Sequence, residues 1–206
     1  MAKYLSIHVD NPQPRLVKAA AKLIHQGAVT AFPTDSCYAL GCCLGDKNAV
    51  ERIRRIRHLD KQHHFTLICR DLSELGTYAQ VSNAAYRLLR AHTPGNYTFI
   101  LPASREVPKR LHHEKSKTIG LRIPRHGIID SLLLELQQPL LSVTLILPDE
   151  TEPLTDAKAI INRLNKQIDL IIDGGYCGTE PTTVVDLKTA IPEILRYGKG
   201  DPRAFL

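Results

Sequence analysis

The sequence has no tryptophan and a single methionine, and aromatic residues make up only 5% of its 206 residues. With so few large rings, recognition of single-stranded nucleic acid by stacking many bases on aromatic side chains is disfavoured. No apolar run approaches the ~20 residues that a membrane-spanning helix requires. The opening MAKYLSIHVDNPQPR has no charged-then-apolar pattern of an export signal. The five cysteines (Cys37, Cys42, Cys43, Cys69, Cys177) form neither an even disulfide framework nor the paired CxxC spacing of a metal site. Structural thiols, no protein-bound metal and a cytoplasmic location are the expectations. Also missing are GxGxxG, GxxxxGK[ST] and GxSxG, the short motifs of dinucleotide, P-loop and hydrolase sites. Repeats, low-complexity tracts and long linkers are absent as well, so residues 1–206 read as one domain.

Positive charge is present in excess and unevenly distributed. The net charge is +6, and residues 52–64, RIRRIRHLDKQHH, hold four Arg, one Lys and three His against one Asp. Residues 105–126 hold seven Lys or Arg against two Glu. Two such stretches favour phosphates of a nucleotide or a nucleic acid, although solvated basic faces account for them equally well. Arg52, Arg54, Arg55, Lys109, Arg110, Lys115 and Lys117 are the candidates for contacting RNA.

Apolar spacing predicts alternating helices and strands. Leu16, Ala19, Ala20, Leu23 and Ile24 define a helix over 15–26 that stops at Gly27. Asp46 is placed to cap a helix that buries Ala49, Val50, Ile53 and Ile56 and turns Arg52, Arg54, Arg55 and Arg57 largely outward. Asp71–Glu74 resembles a capping box. Further helices are expected over 82–92, 128–136 and 155–166. Strands are expected at 28–32, 64–69, 97–101, 118–123, 140–147, 168–173, 182–187 and 193–197, and 148–153 reads as an exposed loop. The pattern is an α/β domain with a mixed sheet. At the end of the strand 28–32 stands Pro33-Thr34-Asp35-Ser36, which suits either a self-satisfied turn or a pocket for a small polar ligand.

PTDSCYALG (33–41) resembles the PT[DE]TxYGLG segment of the YrdC-like family, which includes the threonylcarbamoyl-AMP synthases of tRNA modification. Four more segments follow in the family's order: TPGNYTFIL (93–101), TIGLRIP (118–124), LLSVTL (140–145) and DGG…TTVVDL…ILRYG (173–198). The details look nearest to the YciO branch. This resemblance implies a twisted mixed sheet with helices and a large basic concave face, where the synthases hold ATP with Mg²⁺, L-threonine and bicarbonate. It places Thr34 against the bound threonine or carbamoyl group and Tyr38 in the pocket lining. Arg57 falls on the family's KxR element and His63 on the histidine that follows it. Thr98 and Arg122 match positions near the amino acid, and Ser142, Thr144, Thr182 and Arg196 match positions that face phosphate or adenylate oxygens. No catalytic residue is singled out.

The chain departs from the family in two places. The KxR element aligns with Arg57-His58-Leu59, with Asp60 replacing the next proline, and SxN aligns with Thr144-Leu145-Ile146. Neither Leu59 nor Ile146 can donate to an anion. Each charge-assisted bond lost costs about 1.5–3 kcal/mol, roughly tenfold to more than a hundredfold in affinity. The expected functions are therefore a synthase-like nucleotidyltransferase of altered chemistry, including action on a preformed threonylcarbamoyl-adenylate, a binder of double-stranded RNA or tRNA, and an AMP-like nucleotide binder without turnover.

Overall fold

A computed structural model describes residues 1–60, 63–113 and 115–205. Lys61 and Gln62 of the first basic stretch and Glu114 of the second lie outside the described residues. The strands are β1 (Lys3–Ser6), β2 (Thr30–Phe32), β3 (Ala39–Cys43), β4 (Thr66–Ile68), β5 (Tyr97–Pro102), β6 (Thr118–Arg122), β7 (Leu140–Thr144), β8 (Leu170–Asp173), β9 (Thr183–Asp186) and β10 (Glu193–Arg196). The helices are α1 (Pro14–His25), α2 (Lys47–Arg57), α3 (Leu72–Tyr78), α4 (Asn83–His92), α5 (Gly127–Leu136) and α6 (Ala157–Leu164). All ten strands join one twisted mixed sheet in the order β1-β8-β2-β3-β7-β4-β6-β5-β9-β10.

Side-chain alternation along the strands builds two cores on the two faces. One face carries Leu40, Cys42, Leu67, Phe99, Leu121, Leu141 and Val185, packed against the buried sides of α2, α3, α4 and α6. The opposite face carries Phe32, Ile68, Leu140, Leu170 and Ile172, and only α1 and α5 cover it. That cover is partial. Along β7, Leu140 is under the helices, whereas Ser142 and Thr144, two and four residues on, share its face and border open space.

The helix ends are set by local chemistry. Asp46 caps α2 by accepting from the Ala49 amide at 2.9 Å, and His58 closes the helix in the left-handed region. Gly27 ends α1 at φ +91°, where an added Cβ would lie 2.7 Å from Asp46 Oδ2. Asp71 caps α3 through the Glu74 amide, but Glu74 returns its carboxylate to the Arg70 amide and not to that of Asp71, a capping box displaced by one residue. The buried face of α1 is Val17, Ala20, Ala21 and Ile24, with Leu16, Ala19 and Leu23 half-buried at its sides, so the sequence-based face is rotated. Arg55 alone of the four helix arginines is exposed. Arg52, Arg54 and Arg57 are half-buried, because each finds an acceptor or a ring nearby.

Asp46→Ala removes the α2 cap and is expected to lower stability by about 1 kcal/mol. A urea titration should show a lower midpoint with an unchanged slope.

Candidate functional site

The uncovered part of the sheet face is a cavity of about 420 Å³. Strand register lays its floor out in rows. Ser142 on β7, Thr66 on β4, Gly120 on β6 and Ile100 on β5 stand side by side. Nearer the covering helices, Ile68 pairs with Arg122, and Thr98 on β5 lies beside Val184 of β9. Ser36, Cys37 and Tyr38 close one side, and Leu195 and Arg196 of β10 the other.

Nine of the ten residues expected at the site border this cavity: Tyr38, Arg57, His63, Thr98, Arg122, Ser142, Thr144, Thr182 and Arg196. Thr34 does not. Its hydroxyl donates to Cys37 O at 2.7 Å and accepts from the Ser36 and Cys37 amides at 3.2 and 3.3 Å. The turn therefore consumes it, and Ser36, next but one in the chain, reaches the cavity instead. Tyr38 is fully buried, with its hydroxyl donating to Gly175 O at 2.8 Å, and burial raises its pKa.

Each arginine of the wall already has a protein acceptor. Arg57 Nε donates to Thr144 O at 2.9 Å. Arg196 donates through Nε and Nη2 to Thr182 O, at 3.1 and 2.8 Å, and Thr182 in turn shares a 2.8 Å hydroxyl contact with Thr98. Arg122 is 7% exposed and ion-paired to Asp35, itself fixed by the Arg125 amide at 2.9 Å. Arg122 Nη1 donates to Ser36 Oγ at 3.3 Å, and its Nε is buried with no partner among the described residues. Burial draws the guanidinium pKa down and Asp35 draws it back up. Among the described residues no lysine borders the cavity.

Sequence reasoning missed Cys37, Ala39, His64, Thr66, Ile100, Val143, Val184 and Leu195 in the lining. The alternation on β4, β5, β7 and β9 could have found several of them, had the helix cover been known to stop halfway. Burial raises the Cys37 pKa against the pull of Arg122, Lys199 and Arg196, so its thiol stays protonated at neutral pH. His63 at the rim is partly desolvated and lies near Arg57, and both effects lower its pKa.

The RNA candidates lie outside the cavity lining. Arg52 is held by Asp169 through two bonds, at 2.7 and 3.0 Å. Arg54 lies 4.8 Å over the Phe65 ring and donates to Asp60 O at 2.6 Å. Arg55, Lys109, Arg110, Lys115 and Lys117 are exposed, with Arg110 donating to Gly45 O. Among the described residues no three His, Cys, Asp or Glu side chains are grouped to hold a metal, and no helix is long and apolar enough to cross a membrane.

With this geometry in place, the relatives of the chain become informative. The Sua5/yciO/yrdC family model, described as telomere recombination, matches residues 22–198. The chain belongs to this family. It is 53% identical to the YciO protein of Escherichia coli K12 over the full length of both chains, and the crystal structure of E. coli YciO superposes with a TM-score of 0.97. A threonylcarbamoyl-AMP synthase of Chromobacterium violaceum is 35% identical over 134 residues, 65% of this chain and 69% of that protein. The structure of P. abyssi Sua5 complexed with L-threonine is 26% identical with a TM-score of 0.87, covering 96% of this chain and 58% of that one.

Two outcomes test the site's electrostatics. Asp35→Ala leaves the Arg122 charge buried and unpaired, and should cost about 3–5 kcal/mol; a double-mutant cycle with Arg122→Leu, read by urea denaturation, should recover part of it. For His64, burial first and the neighbouring His113 and His63 next push the pKa down to about 4. An unfolded histidine titrates near ~6.5, so the unfolded chain takes up this proton first as pH falls. The stabilisation from keeping His64 neutral is complete above ~6.5 and fades toward ~4. Allowing for the ring's solvent contact, the loss is at most about 2 kcal/mol. Wild type should therefore lose more stability between neutral and acid pH than His64→Asn; parallel curves would rule the effect out.

Proposed function

We propose that the cavity binds an AMP-like nucleotide carrying a carboxylate, of the threonylcarbamoyl-adenylate type, and does not run the ATP-consuming synthesis of its relatives. The observation that carries this reading is the state of the cations: among the described residues three arginines border the cavity, each engaged by a protein acceptor, and no lysine does. A triphosphate needs concentrated positive charge at its β- and γ-phosphates. Ile146 lines the cavity as an apolar side chain where SxN would supply a donor. An adenylate asks for less, a single phosphodiester charge and one carboxylate. Arg122 borders the cavity, and its guanidinium would meet the carboxylate. Ser142, Thr144, Thr182 and Arg196 border the cavity and would meet the phosphate oxygens. The carboxylates nearest the site do not fit a resident cation, since Asp35 faces Arg122 and Asp186 faces Lys188. Mg²⁺ enters this reading only as a partner of a nucleotide's own phosphates.

Pyrophosphate release from ATP, L-threonine and bicarbonate, measured beside an Arg196→Ala control, is the discriminating assay. No threonine-dependent release is expected, while calorimetry should detect AMP binding that weakens tenfold or more in Arg196→Ala. Threonine-dependent release that vanishes in the control would make the protein a synthase and sink the proposal.

A second reading is supported by the Arg110–Gly45 contact, which joins the second basic stretch to the residues just before α2. Exposed Arg55, Lys109, Lys115 and Lys117 would then meet the phosphates of double-stranded RNA or tRNA, by shape and charge. This surface is separate from the cavity lining, so RNA affinity would be salt-sensitive and indifferent to saturating AMP.

A further inference from the structure

Between the His64 and Arg122 positions the space of the cavity is floored by Thr66 and Thr98. On β6 the residues facing the cavity side are Thr118, Gly120 and Arg122, and the middle one has no side chain. A Cβ at Gly120 would meet Thr66 Oγ1 at 2.9 Å, Phe65 O at 3.1 Å and Thr98 Cγ2 at 3.3 Å, so the glycine lets Thr66 and Thr98 close over the strand and form the floor themselves. Ile100 and Ser142 flank it in the same row. Thr118 and Arg122 are four residues apart, about 13 Å along the strand.

His64 forms the end wall of this space. Its Nε2 contacts Thr118 Oγ1 at 3.1 Å, and its ring stacks on His113 with centroids 4.3 Å apart and planes 9° from parallel. His113 is fixed in turn, its Nδ1 accepting from the Ser116 amide at 3.3 Å and meeting Ser116 Oγ at 2.9 Å. Ser116 Oγ closes the network with Thr118 Oγ1 at 2.6 Å. His113 belongs to the segment before β6, beyond the strand end, and so backs one ring face of His64. His64 also borders the cavity. A ring that is flat, half-buried and held by hydroxyls at its edge presents its π-face and little else.

We propose that His64, backed by His113, is a stacking platform for the nucleobase, the base lying over Thr66 with the phosphate and carboxylate directed to the arginine end. This rests on the nucleotide reading above and adds to it the element that tells a nucleotide from a bare sugar phosphate. Ile100 on the flank supplies apolar contact to the base edge.

The test compares AMP with ribose 5-phosphate by calorimetry on wild type, His64→Ala and His64→Phe. Wild type should prefer AMP, His64→Ala should lose roughly fivefold or more in AMP affinity with ribose 5-phosphate unchanged, and His64→Phe should restore the preference. A merely structural role for His64 would weaken both ligands together, and that result overturns the platform. So does His64→Ala binding AMP as wild type does, or equal affinity of wild type for the two ligands. Absence of AMP binding by wild type would remove the nucleotide reading itself, and the platform with it.

Discussion

The pairing of Asp35 with Arg122 is the constraint on which the site's architecture depends. Arg122 ends β6 at the register of Ile68, where the sheet face passes from helix-covered core to open cavity. A guanidinium at this boundary is buried on all sides, and a buried charge without a partner is costly enough to unfold many small proteins. Asp35 comes from the turn after β2, so neutralising Arg122 pulls that turn over the sheet. Thr34, by satisfying the turn's amides, gives it the shape in which Asp35 points to Arg122 and Ser36 to the cavity. One ion pair thus fixes both the turn and the cavity wall.

The periodic apolar runs carried most of the architecture into view. The predicted strands and helices exist with ends trimmed by a few residues, because a strand stops at its last ladder partner and not at its last apolar residue. β7 shows this: LLSVTLIL is apolar to residue 147, but pairing ends at Thr144. β1 and β3 were not legible. KYLS is short and half-exposed at the sheet edge, and ALGCC looks like the tail of a turn until β2 and β7 are placed on either side of it. The exposure of the helix arginines was misjudged for a similar reason. Outward on a helical wheel does not mean solvated when Asp169 or Phe65 stands across the groove.

Site legibility divides along the same line. Arginines and hydroxyls of the cavity could be named from the family's spacing, since those residue types have few reasons to sit in apolar strands. What that spacing hides is how each arginine is occupied. A guanidinium aimed at a ligand and one tied to a carbonyl read identically as a letter, yet their worth to an incoming anion differs by the bond that must first be broken. Arg57 and Arg196 both hold carbonyls of the strands or turns beside them. Leu59 and Ile146 compound the effect, because the side chains that would replace those engaged donors are hydrocarbon. On the function proposed above, local charge would favour a ligand of low anionic charge over a triphosphate, even in a protein with a net charge of +6.

The scarcity of aromatic residues bears on the remaining wall. A chain without tryptophan has few ways to offer a flat surface, and tyrosine or phenylalanine at position 64 would forgo the Nε2 contact that holds the ring upright beside Thr118. Histidine supplies both, a π-face and an edge that can be bonded, provided it stays neutral. Two protonated rings could not remain 4.3 Å apart without strong repulsion. Desolvation therefore has a structural consequence beyond a shifted titration: by keeping the His64 ring uncharged at neutral pH, it permits the stack that turns two separate imidazoles into one rigid surface. Gly120 contributes in another way, by letting Thr66 and Thr98 close over β6 as the floor beside that surface.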